Sequence, residues 1–215
     1  MPDAPGLELI RGEIEQGHPG AVLDTSFDRD QPALVVDPGQ ILAVLAWLRD
    51  APGQGYRFLS SLHVADYLPA EPRFGVHYEL LNRDRVERLR VKAMLRDPAA
   101  AGPGVAAAGP VVAAAGPVVG VGGALRAGHG PSSTPPTPTP PADEALPTID
   151  SCVELFPTAE FQEREAYDFF GIVFKGHPDL TRILMPEDYV GWPQRRDFPV
   201  GGEPVTFTYN EGAYG

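Results

Sequence analysis

Two hydrophobic periods alternate along the first 97 residues. A short helix is predicted over residues 7–16, followed by strand-like runs at 21–26 and 33–36 on either side of a polar Asp28-Arg29-Asp30 turn. Asp37 reads as a helix cap, with Pro38 at the first helical position and Gln40 completing a capping box. Ile41, Leu42, Leu45 and Leu48 then line one face up to the breaker Ala51-Pro52-Gly53. From Tyr56 the period falls to two. Tyr56, Phe58, Ser60, Leu62 and Val64 share one face of a strand, and Phe74, Val76, Tyr78 and Leu80 share one face of the next. In a third, Leu89, Val91, Ala93 and Leu95 alternate with Arg88, Arg90, Lys92 and Met94, which gives it a wet, basic outer face. A helix can also be drawn through Val86, Leu89 and Ala93, but the preceding hairpin would then lack a partner strand. These elements predict an α+β domain over residues 1–97, built on a mainly antiparallel sheet with packed helices.

Residues 98–147 differ in kind. A heptapeptide occurs three times in tandem, as AAAGPGV, AAAGPVV and AAAGPVV, and is followed by the Pro-rich run SSTPPTPTPPAD. A Gly-Pro pair in every unit breaks the helix that a heptad seam requires. The span 98–125 is long and uncharged enough to cross a bilayer, but its regular Gly-Pro pairs would leave backbone groups unpaired in lipid. The expectation is a disordered linker.

Order is expected again from Thr148, which is placed to cap a short helix through Ile149, Val153 and Leu155. Thr158 is placed to cap a second one running to Phe170, with Gly171 at its C-terminal end. Beyond Gly171, recurrent Gly and Pro remove periodicity and predict an extended, irregular tail held by its contacts.

The charge of −12 narrows the function. It is concentrated at the C-terminal end, where residues 149–215 carry 12 acids and five bases. Nucleic-acid binding would need clustered Lys and Arg over a broad face. Cys152 is the chain's single cysteine, so no intrachain disulfide and no iron-sulfur or zinc site can be built from cysteines of this chain alone. The N-terminal residues lack the basic and apolar regions of a secretory signal, which predicts a cytoplasmic chain.

The densest chemistry lies in EREAYDFFGIVFKGHPDLTRILMPEDYVGWPQRRDFP, residues 163–199. Glu165, Asp168 and His177 invite a metal-dependent hydrolase reading, but Glu163 and Glu165 point about 160° apart on a helix and no two-histidine helical motif is present. Arg164 among the acids favours ion pairing instead. His177 precedes Pro178 and suits an anchor in a bend. Tyr167, Phe169, Phe170, Phe174, Tyr189, Trp192 and Phe198, interleaved with Arg164, Arg182, Arg195 and Arg196, have the composition of interface anchors.

This stretch resembles the signature of the thirty-kilodalton subunit, also known as the C subunit, of respiratory complex I, the NADH-quinone oxidoreductase. The pattern E-R-E-x-x-D-x-F-G-I-x-F-x-G-H-P-D-L-x-R-I-L-x-P-[ED]-D falls without gaps on residues 163–188, and G-x-P-L-R-K-D-[YF]-P falls on 191–199. Gln194 and Arg196 stand where that pattern has Leu and Lys. The resemblance implies a peripheral-arm member of a hetero-oligomer, without a cofactor of its own, on the cytoplasmic side of the cell membrane. It would brace three neighbours: the quinone-reducing forty-nine-kilodalton D subunit, the cluster-bearing twenty-kilodalton B subunit and the ferredoxin-like I subunit. The expected subunit-interface residues are Glu163, Arg164, Glu165, Asp168, Phe170, His177, Asp179, Arg182, Asp188, Trp192, Arg195, Arg196, Asp197 and Phe198. The corresponding module of a membrane-bound hydrogenase or formate hydrogenlyase is the alternative within the same lineage.

Overall fold

The computed structural model describes residues 2–99 and 145–199. Helix α1 (Ala4–Gly17) opens on Asp3, whose Oδ1 accepts the Gly6 N–H at 2.8 Å. Strands β1 (Val22–Asp28) and β2 (Gln31–Val36) form an antiparallel hairpin, and a 3-10 turn leads into α2 (Ile41–Asp50). Strands β3 (Phe58–Asp66), β4 (Phe74–Asn82) and β5 (Glu87–Leu95) follow as an antiparallel meander. A parallel pairing of β2 with β5 closes one sheet in the order β1-β2-β5-β4-β3. After residue 144 come β6 (Thr148–Asp150), α3 (Ala159–Phe170) and β7 (Val173–Lys175), with β6 and β7 paired in parallel. The fold is α+β and mainly antiparallel, as the sequence predicts.

One core joins all of this. Leu7, Ile10 and Ile14 of α1, Ile41, Val44, Leu45 and Leu48 of α2, and Phe74, Val76, Tyr78 and Leu80 of β4 pack with Ile149, Cys152, Phe156, Ala166, Ile172 and Phe174. The C-terminal signature segment therefore completes the hydrophobic core of the N-terminal sheet. Among the described residues no helix is long and apolar enough to cross a membrane. The repeat-bearing span read as a linker lies, apart from its ends, outside the described residues.

Four local expectations change. Asp37 makes no side-chain cap bond, and residues Pro38–Gln40 form the 3-10 turn that precedes α2. On β3 a register irregularity between Leu59 and Ser61 switches the parity of the strand, so Leu59 and Leu62 are buried while Phe58 is exposed. Thr148 begins a strand instead of a helix, because Ile149 pairs with Phe174 and both side chains enter the core. The segment after it turns back, with the Cys152 carbonyl accepting from the N–H groups of Leu155 and Phe156. The region beyond Gly171 is not wholly irregular, since β7 supplies that pairing.

Candidate functional site

Helix α3 ends as expected, at a left-handed Gly171 (φ +71°) whose N–H reaches the Tyr167 carbonyl at 2.8 Å. The Trp192 indole lies against that glycine. A Cβ at residue 171 would stand 2.5 Å from the ring, so both conformation and space require glycine. The buried Trp192 fixes where the chain returns to the helix.

Asp168 organises the loop between helix and return. Its Oδ2 accepts the N–H groups of Ile183 at 3.1 Å, Leu184 at 2.7 Å and Met185 at 2.8 Å, while Nη1 of Arg182 donates to Oδ1 at 2.8 Å. Burial alone would raise the pKa of this carboxyl, but the Met185, Leu184 and Ile183 N–H groups and Arg182 outweigh it and hold the pKa below the usual aspartate value. Arg182 also donates to the Gly191 carbonyl at 3.1 Å and lies 4.8 Å from the centre of the Trp192 ring. The result is a loop pinned from inside, its backbone N–H groups turned toward the helix. Its side chains Ile183 and Leu184 are 37% and 60% exposed. Arg164 reaches the same loop, donating to the Thr181 carbonyl and hydroxyl and to the Arg182 carbonyl, and its guanidinium lies 5.8 Å from the ring of the exposed Phe161.

The return segment is tied back to the sheet. Nε of Arg195 donates to the Phe170 carbonyl at 2.8 Å, and its guanidinium lies over Phe74. Arg196 donates from its backbone to Asp66 and from its side chain to the Leu68 carbonyl. Arg73, only 4% exposed, holds three carboxylates: Asp66 at 2.8 Å, Asp97 at 2.6 Å and Asp197 at 2.5 Å. Asp66 foremost, then Asp197 and Asp97, raise the Arg73 pKa above its ordinary value despite burial. Sequence reasoning passes over this cluster, because Arg73 follows a proline in a loop and its partners lie 7, 24 and 124 residues away.

Glu163 turns inward as well. Fully buried, it accepts the Cys152 N–H at 2.8 Å, and burial raises its pKa. His177 anchors a bend: Nε2 donates to the Glu160 carbonyl at 3.0 Å, and Nδ1 accepts the Asp179 N–H at 3.0 Å. Among the described residues no group of three or more His, Cys, Asp or Glu side chains is placed to hold a metal ion, so Glu165, Asp168 and His177 form no such group.

The fourteen candidate residues therefore divide. Glu163, Asp168, Phe170, Trp192 and Arg195 are buried supports. Arg164, His177, Arg182 and Phe198 are half-buried, while Glu165, Asp179, Asp188, Arg196 and Asp197 are exposed. The exposed apolar residues Phe161, Ile183 and Leu184 were absent from that set. The available signal was an Ile-Leu pair directly after an arginine in a segment too short to bury it.

The model of the family described as "Respiratory-chain NADH dehydrogenase, 30 Kd subunit" matches residues 34–116 and 137–204, more than half of the chain. The chain belongs to this family. Its relatives include the NADH-quinone oxidoreductase C subunit of Herpetosiphon aurantiacus, 38% identical over 178 residues that span 83% of this chain and 77% of that protein. The NADH-quinone oxidoreductase C subunit of Roseiflexus castenholzii is 35% identical over 202 residues, spanning 94% and 89%. A chain in the structure of the membrane-bound sulfane sulfur reductase, an archaeal respiratory membrane complex, shares the fold. It superposes with a TM-score of 0.55 at 18% identity, over 96% of this chain and 90% of the other. The match to the respiratory-chain NADH dehydrogenase family covers both halves of the fold, from Leu34 within β2 through β5, where the sequence offered only an order of elements.

Proposed function

We propose that this chain is a non-catalytic, peripheral subunit of an NADH-quinone oxidoreductase. In this reading it sits on the cytoplasmic side of the cell membrane and braces the quinone-reducing subunit, the cluster-bearing subunit beside it and the ferredoxin-like subunit. The free chain transfers no electrons itself. The observation that carries the reading is the loop pinned by Asp168, which holds two exposed apolar side chains, Ile183 and Leu184, on a backbone already satisfied from inside. A preorganised loop of this kind loses little conformational freedom on docking, so its apolar contact area is realised as affinity. The buried candidates shape the loop, and exposed ones such as Glu165, Asp179 and Asp188 would form its polar rim.

The test is purification through a tag on this chain in mild detergent. The subunits that oxidise NADH and reduce quinone are expected to come with it. Ile183→Glu combined with Leu184→Glu is expected to lose them while lowering the free chain's melting temperature only slightly, because Leu184 is mostly exposed and Ile183 is covered over part of its surface alone. Recovery of the intact assembly with the double variant would sink the docking role. Recovery of hydrogenase subunits in place of NADH-oxidising ones would favour the hydrogenase or formate hydrogenlyase module.

A further inference from the structure

Among the described residues one face of the five-stranded sheet carries no helix. The core takes Val76, Tyr78 and Leu80 of β4 with Leu89, Val91 and Ala93 of β5. The alternate positions face the other way, where Tyr67 covers the buried His77 and lies 5.9 Å from Lys92, while the end that carries Glu79, the half-buried Arg90 and the exposed Arg88 is left open. Residues 83–96 hold six of the chain's 17 basic residues and two of its 29 acids, in a protein of net charge −12. A cleft of about 330 Å³ opens on this face between Gln31, Ser60, Ser61, Glu79, Arg88 and Arg90. Glu79 pairs with Arg90, and Glu87 with Arg85. Arg88 has no ion pair among the described residues, and the Arg83 guanidinium lies 5.5 Å from the ring of the exposed Phe58.

We propose that this open sheet face is a second subunit interface, filled by an acidic segment of a neighbouring protein whose Asp or Glu side chains pair with Arg88 and Arg83. The proposal rests on the reading of the chain as part of a larger assembly. Charge complementarity selects the occupant. An arginine with no ion pair among the described residues beside a cleft, and another over an exposed aromatic ring, are the groups that form charge-assisted, partly stacked contacts with carboxylates. The cleft also mixes donors with acceptors, since Ser60, Ser61 and Gln31 stand beside the Glu79 carboxylate. A peptide uses both kinds of group, whereas a bilayer surface or a nucleic acid offers mainly phosphate, which Glu79 and the overall negative charge repel.

The test uses membranes that carry the assembled complex with Arg88→Lys in this chain. The substitution keeps the charge and supplies an amine in a protein whose own lysines are Lys92 and Lys175. Carbodiimide treatment should join residue 88 to an Asp or Glu of a different subunit, identified by mass spectrometry. Coupling only within this chain or to a second copy of it, or no coupling in an intact assembly, overturns the proposal. So does binding of the free chain to phosphatidylglycerol vesicles that Arg88→Glu abolishes, which would assign the face to lipid. Arg83→Glu with Arg88→Glu should also raise the fraction of the chain released by a salt wash about tenfold. Retention equal to wild type counts against the interface while leaving the Ile183 and Leu184 docking intact. If the tagged wild-type chain captures no other subunit, both readings fall together.

Discussion

Asp168 and Glu163 lie on one helix, both without solvent exposure, and their environments push them in opposite directions. Asp168 meets three N–H donors and a guanidinium, so its charge is supported from every side. Burial dominates at Glu163, where Ser151, the N–H of Cys152 and the more distant His177 only partly compensate, and its Oε2 has no hydrogen-bond partner among the described residues. The raised Glu163 pKa means that the folded state holds a proton which the unfolded chain releases above its ordinary value of 4.5. Its contribution is therefore fully present below pH 4.5 and is lost as pH rises through the folded value, at about 1.4 kcal/mol for each unit of difference. Glu163→Gln keeps an acceptor for Cys152 without the ionisation. It is expected to be at least as stable as wild type at pH 7 and to flatten the decline in stability with rising pH. Urea melts at pH 5 and pH 8 read both effects, and a variant that loses more than about 1 kcal/mol at pH 8 would show that the charged form is the one the fold needs.

At the scale of elements, α3 protects an edge. Strand β3 ends the sheet, and its outward backbone groups are taken by helix side chains: the Gln162 carboxamide oxygen accepts the Leu62 N–H, and the Thr158 hydroxyl donates to the Leu59 carbonyl at 3.1 Å. Gln162→Ala is expected to cost about 1 to 2 kcal/mol and to speed amide exchange at Leu62 more than at core amides of β4. Unchanged exchange at Leu62 would mean that packing alone covers the edge. The same helix shows what a sequence discloses. Its end at Gly171 is legible because a left-handed cap needs glycine, and the β4–β5 alternation is legible because no irregularity interrupts their pairing. The face of β3 is hidden by a one-residue parity switch, and β6 by a partner more than twenty residues downstream that three strand residues cannot announce. Of the candidate site, the motif locates the segment. Its division into buried supports and exposed contacts depends on where Trp192 and Arg195 return to the helix, which no local period encodes.

At the scale of the molecule, Arg73 joins the two halves of the chain that lie on either side of residues 100–144. It binds Asp66 from β3, Asp97 just past the end of β5 and Asp197 from the return segment. The members differ in exposure, and that decides what each is worth. The Asp197 side chain is 52% exposed, so its pair with Arg73 contributes at most about 1 kcal/mol. The side chains of Asp66 and Asp97 are 2% and 5% exposed, and removing their shared cation leaves two buried charges uncompensated, at a cost of about 3 to 5 kcal/mol. Asp197→Asn is therefore expected to leave the denaturation midpoint nearly unchanged while exposing the peptide bonds of residues 191–199 to protease. Arg73→Met should destabilise the whole chain. Acid should act on the same cluster. The pKa values of Asp66 and Asp197 are lowered, Asp66 by Arg73 and backbone donors against the opposing effect of burial and Asp197 chiefly by Arg73, so their contribution is present above about pH 3.8 and is lost as pH falls through the folded values. If Arg73→Met instead melts with the wild type while proteolysis of the return segment rises, the cluster is a latch for the tail alone and the common core holds the two halves without it.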